Sequence, residues 1–389
     1  MTLKRVAAFA ASIVLPMSTI ACTTTAMDTA NASDVVVAAD LELSGAYAEM
    51  GTTYQRALQL KVEQINAAGG VRGHKVRLDV RDNRSDPTVS ISNVSAFVSE
   101  PDLTAIVSGW CTDCLLAVAK NLNDKGVPAI SLAAATEVAK PVSARKYIFK
   151  VGPNPDDGSA VLANQLTSDK VATVAVVGTN DTGGDDAIRS LSQAMVKAGI
   201  TVTGRHEFQP TDTDVSQPVR AATAQHPDAL IVSAFSSRAL AAAKSARNAG
   251  YTGRIYFDQL AAGELFLTGM GARDTDGITM VATQSMVIDN IIATSPAKVA
   301  RRQWFNDYTA RYGNFSEYST YAADALQAIV AALQANGGTG SHTEIRDAIE
   351  TSQFEGLAGQ IRMSPENHSG LIPQALTVLV ARGDRWQPA

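Results

Sequence analysis

Apolar segments alternate with amphipathic segments along the chain from residue 34 onward. The run "DVVVAADL" (34–41) is short and rich in β-branched residues, as a buried strand is. The segment "YQRALQLKVEQINAAGG" (54–70) has apolar residues at helical spacing and ends in two glycines, which predicts a helix with a C-terminal glycine signal. Apolar and polar residues then alternate in "HKVRLDVRD" (74–82), as they do in a half-buried strand. This region therefore predicts a strand, a helix and a second strand.

The same alternation continues to residue 381 in two series, the second of which starts near Tyr147. Further strands are predicted at 103–108, 127–132, 147–151, 171–178, 200–208, 228–235, 253–258, 277–282, 359–363 and 375–381. Further helices are predicted near 87–99, 112–125, 156–168, 185–198, 215–225, 236–249, 297–312, 318–335 and 342–352. Such alternation predicts parallel sheets covered by helices, so the two series indicate an α/β fold with two doubly wound, Rossmann-like lobes. The predicted ligand site is the crevice between the lobes, beyond the carboxyl ends of the strands.

Composition and charge exclude some classes of partner. The chain has 389 residues, enough for two domains, with 46% hydrophobic and 18% charged residues, which is typical of a globular protein. The net charge is −5 and no basic stripe occurs, so nucleic acid is not an expected partner. The five histidines have no metal-ligand spacing, and the loop 178–186 lacks the lysine of a phosphate-binding loop. No metal and no cofactor are therefore expected.

The N-terminus has the pattern of a secretory signal. Lys4 and Arg5 precede the apolar run "VAAFAASIVL" (6–15), which is too short to span a bilayer. The sequence "TIAC" resembles a lipoprotein box, which predicts a signal peptide at 1–21, a lipid on Cys22 and a polar tether at 22–33. Ordinary cleavage after Ala32, in "ANAS", is the alternative. In both cases the expected location is periplasmic or extracytoplasmic, with any membrane attachment limited to the N-terminal lipid.

Two cysteines stand close together in "GWCTDC" (109–114), directly after a predicted strand. Cys111 and Cys114 can form a local disulfide, which an oxidising compartment favours. Two free thiols, a redox-active pair at a helix N-terminus and a metal-binding pair are the alternatives. The hydroxyls of Ser44 and Thr112 stand where they can cap a helix, contact a ligand, or do both.

Several spaced segments resemble one known family. They are "SGAYAEMG" (44–51) with "INAAGGVRGHKVRLDVRDNRSDP" (65–87), "GVPAISLAAATE" (126–137), the region 211–251, "YSTYAADALQAIVAAL" (318–333) and "FEGLAGQIRMSPENHSG" (354–370). Over roughly residues 34–380 the chain resembles the type I periplasmic solute-binding proteins of ABC transporters, in the branched-chain amino acid and amide-binding group. The resemblance implies a non-enzymatic protein that closes by hinge motion on a small solute and is recognised, as a monomer, by a membrane permease.

The resemblance also implies how the lobes are built and which residues form the site. It implies three crossovers near 153, 284 and 357, so that one lobe contains 34–153 and 284–357 and the other contains 154–283 and 358–389. In the first lobe it implies ligand carboxylate contacts at Thr112, with Trp110 and Cys111 beside it, and at Ala133 with Ala135 or Thr136. The loop after the first strand, with Ser44 and Met50, is also expected to contact the ligand. In the second lobe it implies an aromatic contact from Phe235 and an ammonium contact from Asp258 or Gln259. Thr182 and Gly183 stand where many relatives have an aromatic residue.

The resemblance leaves the ligand open. A branched-chain or other amino acid is the leading expectation, with amides and aromatic or aliphatic acids as alternatives. A ligand-sensing partner of a membrane receptor is an alternative role. A thiol–disulfide enzyme that uses Cys111 and Cys114 is a remote one.

Overall fold

The computed structural model describes residue 2, residues 34–265, residue 267 and residues 271–389. The predicted signal peptide, tether, lipidation site at Cys22 and cleavage site at Ala32 lie outside the described residues. None of the described helices is both long enough and apolar enough to cross a membrane.

The first sheet has five parallel strands in the order β2-β1-β3-β4-β5. These strands are β1 Val35–Leu41, β2 Val76–Asp82, β3 Leu103–Ser108, β4 Ala129–Ser131 and β5 Ile148–Lys150. The helices that connect them are α1 Ala48–Ala67, α2 Pro87–Phe97 and α3 Thr112–Lys125. Strand β1 is buried along its whole length because helices cover both faces of the sheet. Helix α3 ends where Gly126 adopts the left-handed conformation, as the glycine predicts.

The second sheet has seven strands in the order β14-β13-β10-β9-β8-β6-β7. Its parallel strands are β6 Thr173–Thr179, β7 Thr201–Phe208, β8 Ala229–Ser233, β9 Arg254–Phe257 and β10 Thr279–Thr283. Its helices are α4 Pro155–Ser168, α5 Thr182–Lys197, α6 Ser216–Thr223, α7 Ser236–Asn248 and the short α8 Ala272–Thr275. The two sheets confirm the predicted two-lobe α/β fold.

Three more helices and four more strands complete the described part of the chain. They are α9 Pro296–Tyr312, α10 Tyr318–Ala335, α11 His342–Glu350, β11 Gln353–Glu355, β12 Gln360–Arg362, β13 Leu376–Arg382 and β14 Arg385–Pro388. Helix α10 packs against α1 and α11, which places it with the first sheet. Strands β13 and β14 instead extend the second sheet beside β10 and run antiparallel. The sequence pattern did not predict β11, β14 or α8.

We call the first sheet with α1–α3 and α9–α11 the first lobe, and the second sheet with its helices the second lobe. The chain passes between them at three points, within 151–154, 284–295 and 351–375. At the first crossing the Lys150 N–H donates to the His368 carbonyl at 2.8 Å, and the Gly370 N–H donates to the Lys150 carbonyl at 2.8 Å. The first and third crossings are therefore tied together. The predicted division at 153, 284 and 357 stays a prediction.

Candidate ligand-binding cleft

The two lobes face each other at the carboxyl ends of their strands, and a small cavity lies between them. The cavity has a volume of about 10 Å³, room for about one water molecule. Its lining residues lie at or beyond the carboxyl ends of five strands, three of them in the second lobe. They are Trp110, Thr112, Ala134, Thr179, Asp181, Gly183, Gly184, Phe235 and Leu260.

Direct hydrogen bonds join the lobes around this cavity. The Tyr47 hydroxyl of the first lobe donates to the Asp181 carboxylate of the second. The Thr182 hydroxyl donates to Asp113, and the Thr136 N–H donates to Asp186 at 2.6 Å. The rings of Tyr47 and Phe235 also meet edge to face, with centroids 6.5 Å apart. The lobes are therefore closed on each other.

The start of α3 is built around Glu42, a fully buried carboxylate that follows β1. Glu42 accepts hydrogen bonds from the N–H of Trp110 at 2.9 Å and of Cys111 at 3.1 Å, and from the Asn83 side chain at 3.1 Å. Burial raises the pKa of Glu42 to about 7, although these donors oppose the shift. Gly109 is required here because a Cβ atom would lie 2.1 Å from a Glu42 carboxylate oxygen.

A disulfide joins Cys111 and Cys114, whose Cα atoms are 5.2 Å apart. Cys111 precedes α3, and its sulfur accepts the Cys114 N–H at 3.1 Å. Together with Glu42, the two sulfurs form a buried group whose atoms lie within 4.8 Å of one another. Metals bind thiolates rather than disulfide sulfurs, so the bonded pair does not supply two metal ligands.

Asp181 is the one ionisable side chain among the described residues that line the cavity. It precedes α5 and accepts the Gly184 N–H at 2.6 Å, as a helix N-cap does. Its other oxygen accepts the Tyr47 hydroxyl. Burial raises the pKa of Asp181, and the negative charges of Asp113 and Asp185 act in the same direction.

Asp258 and Gln259, expected to contact a ligand ammonium, lie behind the lining residues rather than among them. Asp258 is fully buried and accepts the Ser233 hydroxyl at 2.6 Å and the Leu260 N–H at 3.1 Å. Burial raises the pKa of Asp258 to about 7. The amide of Gln259 packs against Gly158 of α4, where its oxygen is buried with no hydrogen-bond partner. Both side chains therefore serve local packing in this closed form.

The loop after β4 lies across the cleft, and its middle residue lines it. Ala134 is a lining residue, whereas Ala133 and Ala135 are buried on either side. Beneath the loop, the buried Lys150 donates to the Ala134 carbonyl at 2.7 Å. Burial lowers the pKa of Lys150 to about 7. Thr136 contributes its N–H to the contact with Asp186 described above.

The remaining predicted residues divide between the cleft and its surroundings. Trp110, Thr112, Gly183 and Phe235 line the cavity. Thr182 lies at its edge through the contact with Asp113. Ser44 is exposed, with its hydroxyl donating to Asp82 at 2.7 Å, and Met50 is buried in the core of the first lobe. Neither of these two lines the cavity.

The sequence interpretation missed Tyr47, Ala134, Thr179, Asp181, Gly184 and Leu260 at the cleft and Glu42 beneath it. Asp181 and Glu42 had a usable signal, because each is an acid placed directly after a long apolar strand. No motif in the sequence marks the others, and only the folded backbone brings them to the cleft.

Known proteins resemble this chain over most of its length. The family model for the periplasmic binding proteins matches residues 35–384. An amino acid binding protein of Pseudomonas aeruginosa is 22% identical over 338 residues, which cover 86% of this chain and 84% of that protein. A Leu/Ile/Val-binding protein homolog 8 of Brucella abortus is 22% identical over 234 residues, 57% of each chain.

A solved structure has the same fold. It is a solute-binding protein of an ABC transporter from Rhodopseudomonas palustris BisB5 in complex with 3,4-dihydroxybenzoic acid. The two structures superpose with a TM-score of 0.80 at 16% identity, over 92% of this chain and 96% of that one. Fold, cleft and family model agree, so the chain belongs to the periplasmic binding protein family, a family of non-enzymatic solute-binding proteins.

Proposed function

We propose that this protein is the extracytoplasmic substrate-binding component of an ABC uptake transporter, and that it captures a small polar solute between its lobes by hinge closure. The observation that carries the proposal is the cleft itself, because residues of both lobes line one cavity at the carboxyl ends of the strands. A ligand held there touches both lobes at once, so its binding energy favours the closed form.

Entry of a solute requires the lobes to separate. The cavity of about 10 Å³ is smaller than an amino acid, and Thr112 of the first lobe already faces Gly183 of the second. A Cβ atom on Gly183 would lie only 3.3 Å from the Thr112 hydroxyl oxygen. Opening at the three crossings would expose both loops, and closure around a solute would then replace some direct contacts between the lobes.

Amino acids are the leading class of solute, and the branched-chain amino acids come first among them. Trp110, Phe235 and Leu260 give the cleft an apolar wall that suits an aliphatic side chain. Thr112 and Thr179 add hydroxyl groups that can hydrogen bond to a polar head. The names of the relatives support the same class. Amides and aromatic or aliphatic acids are the other classes to test.

A thermal denaturation screen of the purified protein tests the proposal. A solute that binds only the folded state raises the melting temperature, and at 100 times its Kd it adds about 2.7 kcal/mol to the free energy of unfolding. The screen compares the amino acids with small amides and with aromatic and aliphatic acids. We expect at least one of these solutes to raise the melting temperature, and isothermal titration calorimetry then gives its Kd.

A pair of substitutions tests whether the solute binds in the cleft. Thr112→Val keeps the shape of the side chain but removes its hydroxyl, so we expect weaker binding of the solute found in the screen. Thr201→Val is the matched control, because Thr201 is exposed on β7 away from the lining residues. A failure of every solute class to raise the melting temperature would contradict the proposed function.

A further inference from the structure

We infer that the cleft holds its ligand by an amino group, with the Asp181 carboxylate as counter-ion, and that a free carboxylate on the ligand is not needed for binding. The inference rests on the proposed function and deepens it, since it names the chemical group that the same site recognises. It assigns the ammonium contact to Asp181, which precedes α5 of the second lobe, rather than to Asp258.

The charge of the lining favours a cation. Asp181 is the only ionisable side chain among the described lining residues, and it is an acid. Asp113 adds a second carboxylate at the edge of the cleft, where it accepts the Thr182 hydroxyl. A ligand carboxylate placed between these two groups would be repelled by both. An ammonium would be attracted by both.

Three nearby cations lie outside the lining of the cavity. Lys150 lies behind Ala134, with its ammonium directed at the Ala134 carbonyl. Arg189 pairs with Asp186, and Arg238 lies over the ring of Phe235, with its guanidinium carbon 5.5 Å from the ring centroid. None of these three cations is among the residues that line the cavity. A ligand carboxylate in the cleft therefore lacks a partner of opposite charge in the described lining.

Some of the backbone N–H donors that could replace a cation are also in use. A helix N-terminus can bind an anion through its free N–H groups. At the start of α3, however, Glu42 already accepts the N–H groups of Trp110 and Cys111. At the start of α5, Asp181 accepts the N–H of Gly184. The protein's own carboxylates thus occupy positions at which a ligand carboxylate would otherwise be held.

The amino group of a ligand, in contrast, has a suitable partner in Asp181. The Tyr47 hydroxyl donates to the Asp181 oxygen that does not accept the Gly184 N–H, which shows that a donor from the first lobe can reach this carboxylate. When the lobes separate, an amino group can take the place of the Tyr47 hydroxyl and form a charge-assisted hydrogen bond. Trp110 and Phe235 line the same cavity, and aromatic faces also attract ammonium groups.

Four ligands that share one carbon skeleton test the inference. For leucine these are leucine itself, the amine without the carboxylate (3-methylbutylamine), the acid without the amino group (4-methylpentanoate) and the neutral alcohol (3-methyl-1-butanol). If another amino acid gives the largest thermal shift in the screen above, the series is built on its skeleton. Calorimetry on the purified protein measures each Kd.

We expect the amine to bind at least as tightly as the amino acid, and the acid to bind about 10-fold to 100-fold more weakly than the amine, as the loss of a hydrogen bond to a charged group predicts. An acid that binds as tightly as the amine would overturn the inference. So would an amino acid that binds while its amine does not. A screen in which only solutes without an amino group bind would overturn the inference but leave the proposed function intact. A screen in which no solute binds would contradict both the proposed function and the inference.

The substitution Asp181→Asn tests whether Asp181 is the counter-ion of the ligand's amino group. Asparagine keeps an oxygen that can accept the Gly184 N–H, but it has no charge. We expect the amine to lose about 10-fold to 100-fold in affinity while the alcohol changes little, so the preference for amine over alcohol collapses. A purely structural role of Asp181 would weaken both ligands alike and would overturn the assignment. Asp185→Asn is the matched control, because Asp185 is an exposed acid of the same helix turn and does not line the cavity.

Discussion

At the scale of single residues, three buried side chains near the cleft act on the protein's own backbone. Glu42 holds the start of α3, Asp258 holds the turn after β9, and Lys150 holds the loop after β4. Each is charged in water and each is fully buried, so each needs a hydrogen-bond partner inside the protein. Their position at the ends of strands is the position from which ligand contacts are also made. A charged residue at the end of a strand therefore indicates which edge of the sheet faces the cleft. It does not indicate which residues contact the ligand.

The disulfide gives a prediction for the loop that contains Trp110 and Thr112. A cross-link that closes a loop of four residues stabilises the folded state by about 2 kcal/mol when only chain entropy is counted. We expect reductant to lower the melting temperature of the protein, and we expect Cys111→Ser with Cys114→Ser to lower it by a similar amount. Differential scanning calorimetry with and without reductant measures both effects.

The double variant is its own control, because reductant should not change its melting temperature. Mass spectrometry after alkylation gives an independent check on the bond. In the denatured protein, where both side chains are accessible, we expect Cys111 and Cys114 to react with iodoacetamide only after reduction. Alkylation of both residues in the untreated protein would contradict the disulfide.

At the scale of elements, α10 connects the first lobe to two of the three crossings. Glu317, which precedes the helix, accepts the Thr283 N–H through both carboxylate oxygens at 3.1 Å and also accepts the Tyr321 hydroxyl. Two turns later, Asp324 accepts the N–H of Leu357 at 2.6 Å and of Ala358 at 2.9 Å. One helix therefore fixes the chain at the second and third crossings.

The anchor at Glu317 predicts how stability depends on pH. Burial raises the pKa of Glu317 to about 8, from a usual value of 4.5. The folded state therefore binds a proton that the unfolded state releases, and the free energy of unfolding falls as pH rises from about 5 to 8. Burial raises the pKa values of Glu42, Asp258 and Asp324 in the same direction. We expect chemical denaturation to give a larger free energy of unfolding at pH 5.5 than at pH 8.

Glu317→Gln tests the contribution of this one residue. Glutamine resembles the protonated carboxyl group and does not titrate, so we expect the decline of stability between pH 5.5 and pH 8 to become shallower. Glu207→Gln is the control, because Glu207 is exposed on β7. If Glu317→Gln leaves the slope of stability against pH unchanged, Glu317 does not titrate in this range in the folded protein.

The sequence predicted most of the helices and strands, but it predicted only some of the residues that line the cleft. Strands such as β1 and β6 are long apolar runs, and helix α3 ends at a glycine, so local chemistry defines them. Strand β14 is a four-residue edge strand with mixed polarity, and it forms because it pairs with β13. The orientation of Asp258, away from the cavity, depends on the distant Ser233, which local sequence does not indicate.

At the scale of the whole molecule, polar contacts between the lobes hold the closed form. Tyr47 with Asp181 and Thr182 with Asp113 lie beside the cavity, and Thr136 with Asp186 lies farther along the interface. A second group of contacts joins the loop after β9 to the start of α10, where the Tyr318 hydroxyl donates to the Leu260 carbonyl at 2.7 Å. Contacts of this kind set the balance between open and closed molecules before any solute binds.

Tyr47→Phe tests this balance. The substitution removes the hydrogen bond to Asp181 but keeps the ring that packs against Phe235. A hydrogen bond to a charged group contributes about 1.5–3 kcal/mol, so we expect the fraction of open molecules to rise about 10-fold or more. Small-angle X-ray scattering should then give a larger radius of gyration without added solute.

Tyr147→Phe is the matched control, because the Tyr147 hydroxyl forms a hydrogen bond with Thr343 at 3.2 Å, and both residues belong to the first lobe. We expect its scattering curve to match that of the unmodified protein. An unchanged radius of gyration for Tyr47→Phe would mean that the other contacts between the lobes are sufficient to keep the cleft closed.

The position of Trp110 gives the molecule a built-in optical reporter. The chain has three tryptophans, and only Trp110 lines the cavity, with its ring 5.3 Å from that of Tyr318. Trp304 and Trp386 are buried elsewhere, where the first donates to Ser319 and the second packs against Phe257. Their indole emission is therefore a nearly constant background. Opening and closing of the lobes changes the solvent around Trp110 alone, so intrinsic fluorescence can follow solute capture in real time without an attached dye.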